Sequence, residues 1–196
     1  MRSSPFAAAL TLTVLAGAAV AQSPPATNVP APPPTITAPA VVPGAPVAAL
    51  TERDAQFIAA QLEHNMAEVL AAQRALEHSQ NASVRGFAQK MITDHNYAQS
   101  TLEPIASMHH IQPPTTLSDP HREMLDRLSQ LSGPAFDREY VNSMVNEHAL
   151  EISAFNTELP VVVDAHVSAW VQNTRPMLLQ HHEIGQQLLI SLPRTG

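Results

Sequence analysis

The sequence predicts an all-α protein, an antiparallel four-helix bundle with a short crossover helix between the second and third long helices. Glycine is scarce, with 6 residues in the 196-residue chain, and aromatic residues make up 4%. The period-two alternation of β-strands is absent apart from the short "VVV" at Val161. Four long segments instead repeat apolar residues at spacings of three and four, and most of the links between them are short, which is typical of helices packed side by side.

Capping residues and prolines define the limits of the predicted helices. Thr51 and Asp54 resemble a capping box at the start of the first helix. Pro134 falls in the first turn of the third long helix, where proline is tolerated. In chain order, the four long helices and the crossover helix are predicted at Thr51 to Ser79, Asn81 to about His110, Asp119 to Leu131 (crossover), Phe136 to Leu159, and about Asp164 to Leu192.

The first 21 residues have the pattern of a secretory signal peptide. Arg2 precedes an apolar run from Phe6 to Val20, which ends in the small-residue triplet Ala-Val-Ala at positions 19–21. The run is short for a membrane span and its flanks carry little charge. An uncleaved anchor is the alternative. We expect a periplasmic or secreted protein with no membrane span after signal cleavage.

Residues 22–50 are predicted to form a proline- and alanine-rich disordered tether. Nine of the 18 prolines lie in this segment, which favours extended polyproline geometry and offers little surface to bury. It would hold residues 51–196, the predicted bundle domain, away from the N-terminus, and it could contact a partner in the cell envelope. The remaining 146 residues are enough for one domain with a core.

Composition excludes several classes of function. Acidic residues outnumber basic ones 17 to 10, so the sequence offers no basic surface for nucleic acid. The chain has no cysteine, which excludes disulfides and thiolate metal ligands. We find no nucleophile elbow, His-Glu-x-x-His zinc helix or phosphate-binding loop, so the sequence leans away from an enzyme without deciding the question.

The second, third and fourth long helices each carry one histidine in their buried stripe. His95, His148 and His181 occupy positions where the spacing calls for Leu or Ile. A single core histidine is usually a neutral ring hydrogen-bonded to a neighbour. Three core histidines on separate helices must each find a hydrogen-bond partner or a ligand in the apolar interior. Without one, burying each ring would cost several kcal/mol of desolvation free energy. Their obvious partners are one another, bridged by a metal ion or a carboxylate.

Helix geometry places these rings at similar heights. At about 1.5 Å per residue, Glu68 of the first helix and the three histidines fall in a slab about 9 Å deep. The predicted metal ligands are therefore Glu68, His95, His148 and His181. The predicted auxiliary or supporting residues are Asp94, which would orient a ring through its second nitrogen, Asp137, His64, Met91, Met144 and Met177.

The expected cofactor is one transition metal ion. Each of the three methionines lies one turn before a core histidine, and thioether with imidazole suits copper. Histidine with Glu68 alone would suit zinc, iron or manganese. Asp137 is expected mainly to stabilise a helix start. The remaining histidines near helix ends are expected to be solvated: His109, His110, His121, His166 and His182, with His78 also exposed.

The quoted segments together resemble a known family. "EVLAAQRALEHSQNASVRGFAQKMITDH", "LSGPAFDREYVNSMVNEH" and "RPMLLQHH" are similar to the domain-of-unknown-function 4142 family, a group of exported ferritin-like four-helix proteins. The resemblance spans roughly Asp54 to Leu189. The positions that match the family's motifs are Glu68, Asp94, His95, Asp137, His148 and His181. A di-iron oxidase is disfavoured, because such bundles use Glu-x-x-His pairs and this sequence has none.

The sequence leaves three functions open. The first is an exported metal-binding bundle, with sequestration or stress protection as its role. The second is a structural or interaction module whose core histidines form a hydrogen-bonded layer. The third is a metal-dependent redox enzyme.

Overall fold

The computed structural model describes residues 41–194 and confirms the predicted all-α bundle. Predicted and observed helix limits agree within three residues. The capping box of Thr51 and Asp54 is present. The third long helix starts at Gly133 rather than at Phe136, because Pro134 is accommodated in its first turn. The helices are α1 (Glu52–His78), α2 (Ala82–Met108), the crossover helix α3 (Asp119–Ser129), α4 (Gly133–Glu158) and α5 (Ala165–Ser191).

The four long helices form a square in which neighbours run antiparallel. Helix α1 packs against α2 and α4, and α5 completes the square by packing against the same two helices. The links between α1 and α2 and between α4 and α5 are short, so each reverses the chain direction within a few residues. Helices α2 and α4 lie on a diagonal and run the same way, so the chain must return along the bundle between them. Helix α3 lies on this return path and packs against α1 and α4.

The core is divided into two apolar clusters. One contains the end of α1, the start of α2 and the start of α4, with Phe136 and Tyr140 among its fully buried side chains. The other contains the start of α1, the end of α2 and the start of α5, with Phe155 and Trp170 packed together. A layer of buried polar side chains lies between the two clusters along the helices.

The residues that precede α1 contact the bundle. The amide of Val42 donates to Nδ1 of His166 at 3.0 Å, and the amide of Ala48 donates to Oδ2 of Asp164 at 3.0 Å. Asp164 also caps α5, because its Oδ1 accepts from the amides of His166 and Val167. The end of the predicted tether, residues 41–50, thus lies against the start of α5.

The rest of the N-terminal predictions fall outside the described residues. The predicted signal peptide, residues 1–21, and residues 22–40 of the predicted tether both lie there. Among residues 41–194, no helix has both the length and the apolar character that a membrane span requires.

One glycine sets the spacing of α4 and α5. A Cβ atom at Gly185 would lie 2.7 Å from Cγ2 of Val145 on α4, far inside normal contact distance. Gly185 is one turn beyond His181, and Val145 is three residues before His148. The missing side chain therefore lets the two helices approach closely beside these two histidines.

Candidate metal centre

The three core histidines meet in the polar layer. His95 from α2, His148 from α4 and His181 from α5 have ring centroids 5.2–5.5 Å apart in every pairing. One nitrogen from each ring lies within 4.8 Å of one nitrogen from each of the others. All three residues are at most 1% exposed. We call this group the inner cluster.

The outward-facing nitrogen of each ring has its own hydrogen-bond partners. Nδ1 of His148 lies 2.8 Å from the carbonyl oxygen of Met144. Nε2 of His181 lies 2.8 Å from Oδ2 of Asp94. Nδ1 of His95 lies 3.0 Å from Oδ1 of Asn65. Buried ligand histidines in metal sites are oriented in this way through the nitrogen that does not bind the ion.

Glu68 joins two of the rings from the same outer side. Its Oε2 lies 3.0 Å from Nδ1 of His95, and its Oε1 lies 3.2 Å from Nδ1 of His148. Both contacts are to nitrogens that face away from the centre of the inner cluster. Glu68 also forms a buried group with His148 and Glu151 whose ligand atoms lie within 4.8 Å of one another, so its role as a ligand stays a prediction.

These partners fix where the protons are. A carbonyl oxygen can only accept, so Nδ1 of His148 carries the hydrogen, and the ionised Asp94 requires the same of Nε2 of His181. Nε2 of His148 and Nδ1 of His181 then face each other at 3.1 Å with lone pairs only. Nε2 of His95 is buried and has no hydrogen-bond partner.

When Nδ1 of His95 donates to Oδ1 of Asn65, three lone pairs converge on one dry space without a donor between them. Buried acceptors left in this state are costly, and a shared cation or proton would relieve them. Two nitrogens that each bind one ion at 2.0–2.1 Å lie about 3.3–3.6 Å apart. The spacing of His148 and His181 is close to that value, so the residues fit a metal ion.

Burial keeps the inner rings neutral. It lowers the pKa of His95 and of His148 well below the ordinary value, and the neighbouring His181 adds to both shifts. Burial also lowers the pKa of His181, although Asp94 opposes the shift. A neutral imidazole is the form that binds metal ions.

The two carboxyl groups beside the rings differ in charge. Burial raises the pKa of Glu68 well above its usual range, with Glu151 and Glu147 adding to the effect. Burial acts in the same sense on Asp94, but hydrogen bonds from His181 and Lys90 outweigh it and lower the pKa of this group. Asp94 is therefore the ionised partner of the cluster, and its role as the residue that orients His181 matches its predicted contact.

The predicted methionines are all buried but belong to the apolar clusters. Met91 and Met144 lie in one cluster, and Met177 lies in the other. Asp137 is also buried, at 5% exposure, with one carboxyl oxygen unpartnered. Because α4 begins at Gly133, Asp137 lies beyond the first turn, so the expected stabilisation of the helix start is wrong.

His64 lies in a second group, which we call the outer cluster. It consists of His64 of α1, His121 of α3 and Glu147 of α4. Nδ1 of His64 lies 4.0 Å from Oε2 of Glu147, and Nε2 of His121 lies 3.6 Å from the same oxygen. Oε1 of Glu151 is 3.9 Å from Nδ1 of His64. His64 is thus beside the outer carboxylates rather than in the inner cluster.

The expectation that the other histidines are solvated is wrong for several of them. His121 is 6% exposed and His166 is 2% exposed. His109 lies 3.5 Å from Asp164, with its side chain 8% exposed, and His78 stacks on Phe136. Terminal turns of these helices are covered by neighbouring segments, which position along one helix does not reveal. His110 is exposed, as expected.

Several residues of the polar layer were missed from the sequence, and spacing could have revealed some of them. Asn65 lies three residues before Glu68, and Glu151 three residues after His148, so each shares a helix face with a predicted residue. His121 begins the buried stripe of α3, which continues with Met124, Leu125 and Leu128 at helical spacing. Glu63 and Glu147 carry no comparable signal.

Comparison with known protein families assigns this chain to a family. The sequence matches the family described as Domain of unknown function (DUF4142) over residues 40–188. The chain belongs to the DUF4142 family. A comparison with curated protein sequences finds no match.

Several solved structures share the fold of this DUF4142 chain. A DUF305 fragment from Deinococcus radiodurans is 19% identical with a TM-score of 0.63, covering 72% of this chain and 98% of the other. A predicted secreted DUF305 protein from Streptomyces coelicolor is 13% identical with a TM-score of 0.62, covering 71% and 91%. CopM in its Cu(I)-bound form is 15% identical with a TM-score of 0.61, covering 70% and 96%. At these identities the likeness concerns the fold alone.

Proposed function

We propose that this protein binds one transition metal ion at the inner cluster, with copper(I) as the preferred ion, and serves in metal sequestration in the cell envelope. Nε2 of His95, Nε2 of His148 and Nδ1 of His181 would be the ligands. Glu68 and Asp94 would hold the rings. The observation that carries the proposal is the convergence of three buried imidazole lone pairs whose outer nitrogens are all held by acceptors.

Charge favours a monovalent ion. Asp94, the ionised group that contacts the inner rings, is already paired with Lys90, whose Nζ lies 2.7 Å from its Oδ2, so a monovalent ion would bring one uncompensated positive charge. A divalent ion would add a further uncompensated charge in a dry interior unless Glu68 also ionised. Imidazole ligands suit both copper and zinc, and zinc usually takes four ligands.

One structural comparison supports copper. CopM, which shares the fold, was solved with Cu(I) bound.

Copper(I) binding to untagged protein tests the proposal. Under anaerobic conditions, competition with a chromophoric copper(I) chelator should show one tightly held equivalent per chain. His148→Ala should abolish this binding, and Asp94→Asn should weaken it by about 10–100-fold, since it removes only the acceptor that orients His181.

The control is His182→Ala, because His182 is adjacent to His181 and lies outside both clusters. It should bind copper(I) like the wild type. If the wild type holds no copper(I), or if His148→Ala and His182→Ala behave alike, the metal proposal fails. A folded protein that binds no metal at the inner cluster but is destabilised by His148→Ala would identify the histidines as a structural layer.

A further inference from the structure

We infer a second metal site at the outer cluster, formed by His64, His121 and Glu147 and suited to a divalent cation of the Zn²⁺ class. One ligand atom from each residue lies within 4.8 Å of those from the other two. This inference does not depend on the copper proposal, because the two clusters have no ligand in common. It concerns a different ion, with a ligand set that includes a carboxylate.

The three ligand atoms converge without bonding to one another. Oε2 of Glu147 lies 3.6 Å from Nε2 of His121 and 4.0 Å from Nδ1 of His64, both too long for direct hydrogen bonds. Nδ1 of His64 is buried and has no hydrogen-bond partner. The rings of His64 and His121 meet edge to face, with centroids 4.8 Å apart. Such spacing leaves room for one ion between three donors.

The second nitrogen of His121 is held as in known metal sites. Nδ1 of His121 lies 2.9 Å from Oε1 of Glu63, and the amide of Ser118 donates to the same oxygen. With Nδ1 donating its hydrogen to Glu63, Nε2 presents its lone pair toward Glu147. A carboxylate–histidine pair that directs the free nitrogen at an ion is typical of zinc sites.

Solvent access distinguishes this site from the inner cluster. The side chains of His64 and Glu147 are each 20% exposed, whereas the inner rings are buried. A groove of ≈ 580 Å³ is lined by His64 and Glu151 and opens to solvent. A hydrated ion can therefore approach the cluster without the bundle opening.

The ligand types select the ion. Two imidazole nitrogens with one carboxylate oxygen form a common zinc ligand set, which leaves a fourth position for water. The nearby Glu151, 3.9 Å from His64, could supply that fourth oxygen. An anionic ligand and a partly exposed position both favour a divalent ion over a monovalent one, in contrast to the inner cluster.

Zn²⁺ titration in the His181→Ala background tests this site separately from the proposed copper function. Calorimetry with folded protein, checked by circular dichroism, should give one Zn²⁺ equivalent per chain. Adding His121→Ala or Glu147→Gln should abolish that binding. Adding Glu63→Gln should weaken it by about 10–100-fold, because Glu63 acts only through His121.

Two variants keep the test independent of folding. Glu147→Gln preserves side-chain size, so its loss of binding would not follow from a collapsed α3, and adding His182→Ala should leave Zn²⁺ binding unchanged. Retention of wild-type Zn²⁺ affinity in both His121→Ala and Glu147→Gln would overturn the inference. Absence of Zn²⁺ binding in the His181→Ala background would also overturn it, whatever the result with copper.

Discussion

The inner and outer clusters use the same residue types, yet the pKa values of their histidines are shifted differently. Burial lowers the pKa of all three inner histidines. In the outer cluster, burial also lowers the pKa of His64, whereas the pKa of His121 is raised, chiefly by its contact with Glu147 and despite partial burial. An imidazole in the dry layer is therefore held without a proton, while His121 lies beside carboxyl groups whose own pKa values are lowered, Glu63 and Glu147.

The carboxyl groups show the same contrast. Burial raises the pKa of Glu68 in the inner layer. In the outer cluster, burial acts in the same direction on Glu63, but hydrogen bonds from Ser118 and His121 outweigh it and lower the pKa to about 2. The comparison shows that ligand identity alone does not set the charge of a site. The charge also depends on how deeply the ligands are buried and on their hydrogen bonds.

The largest expected effect comes from removing the inner carboxyl group. In metal-free protein, Glu68→Ala should lower the free energy of unfolding by about 2–4 kcal/mol, because it leaves a cavity and removes contacts with two buried rings. The matched outer variant, Glu63→Ala, should cost about 1 kcal/mol or less, since water can replace a partly exposed carboxylate. Urea unfolding followed by circular dichroism measures both. Equal losses would contradict the contrast drawn between the clusters.

An intermediate effect is expected at the helix contact beside the inner cluster. Gly185→Ala introduces a Cβ atom 2.7 Å from Val145 and should destabilise the protein by about 1–3 kcal/mol. It should also weaken copper(I) binding, because it separates α4 from α5, and leave Zn²⁺ binding at the outer cluster intact.

The control for this glycine is Gly86→Ala in α2. No atom lies within 4 Å of a Cβ at Gly86, so the change should be neutral or stabilise by up to about 1 kcal/mol through helix propensity. Thermal unfolding compares the two variants. A Gly185→Ala protein as stable as Gly86→Ala would show that α4 and α5 are not tightly packed there.

The smallest effect, taken per pH unit, is a change in how the stability of the protein depends on pH. Burial and the nearby Glu147 raise the pKa of Glu151 to about 8, well above its value of 4.5 in a model peptide. Between these values the folded protein holds a proton that the unfolded chain releases. The stabilisation from Glu151 is thus complete below pH 4.5 and is lost as pH rises through about 8.

Glu151→Gln removes this contribution and should flatten the profile. From pH 5 to 8, the stability of metal-free wild type should fall relative to Glu151→Gln by up to about 1.4 kcal/mol per pH unit. Urea midpoints at several pH values provide the measurement. Parallel profiles for the two proteins would mean that Glu151 is ionised in the fold.

Sequence spacing predicted the parts of the site that follow helix periodicity. His95, His148 and His181 were found because each interrupts an apolar stripe, and Asp94 was found through the family resemblance. Which nitrogen each partner contacts depends on side-chain rotamers and on the helix–helix distance, so the sequence did not show that Glu68 contacts Nδ1 of His95 and of His148. The role of each residue toward a metal remains a prediction.

The outer cluster was invisible to the same reasoning. It depends on where the crossover helix lies on α1 and α4, and a chain of short links does not fix that position. His121 carried a local signal in the stripe of α3, but its partner Glu63 is 58 residues away in the chain. Contacts of that range are set by the fold as a whole rather than by any local pattern.

Asp164 connects three separate parts of the chain through one side chain. It caps α5, receives the amide of Ala48 and lies 3.5 Å from His109 at the end of α2. The segment before α1, the end of α2 and the start of α5 are consequently all bound to the same side chain. Loss of this one carboxylate would loosen all three at once, so a force on the N-terminal segment would act directly on the end of the bundle where α1 and α5 begin and α2 ends.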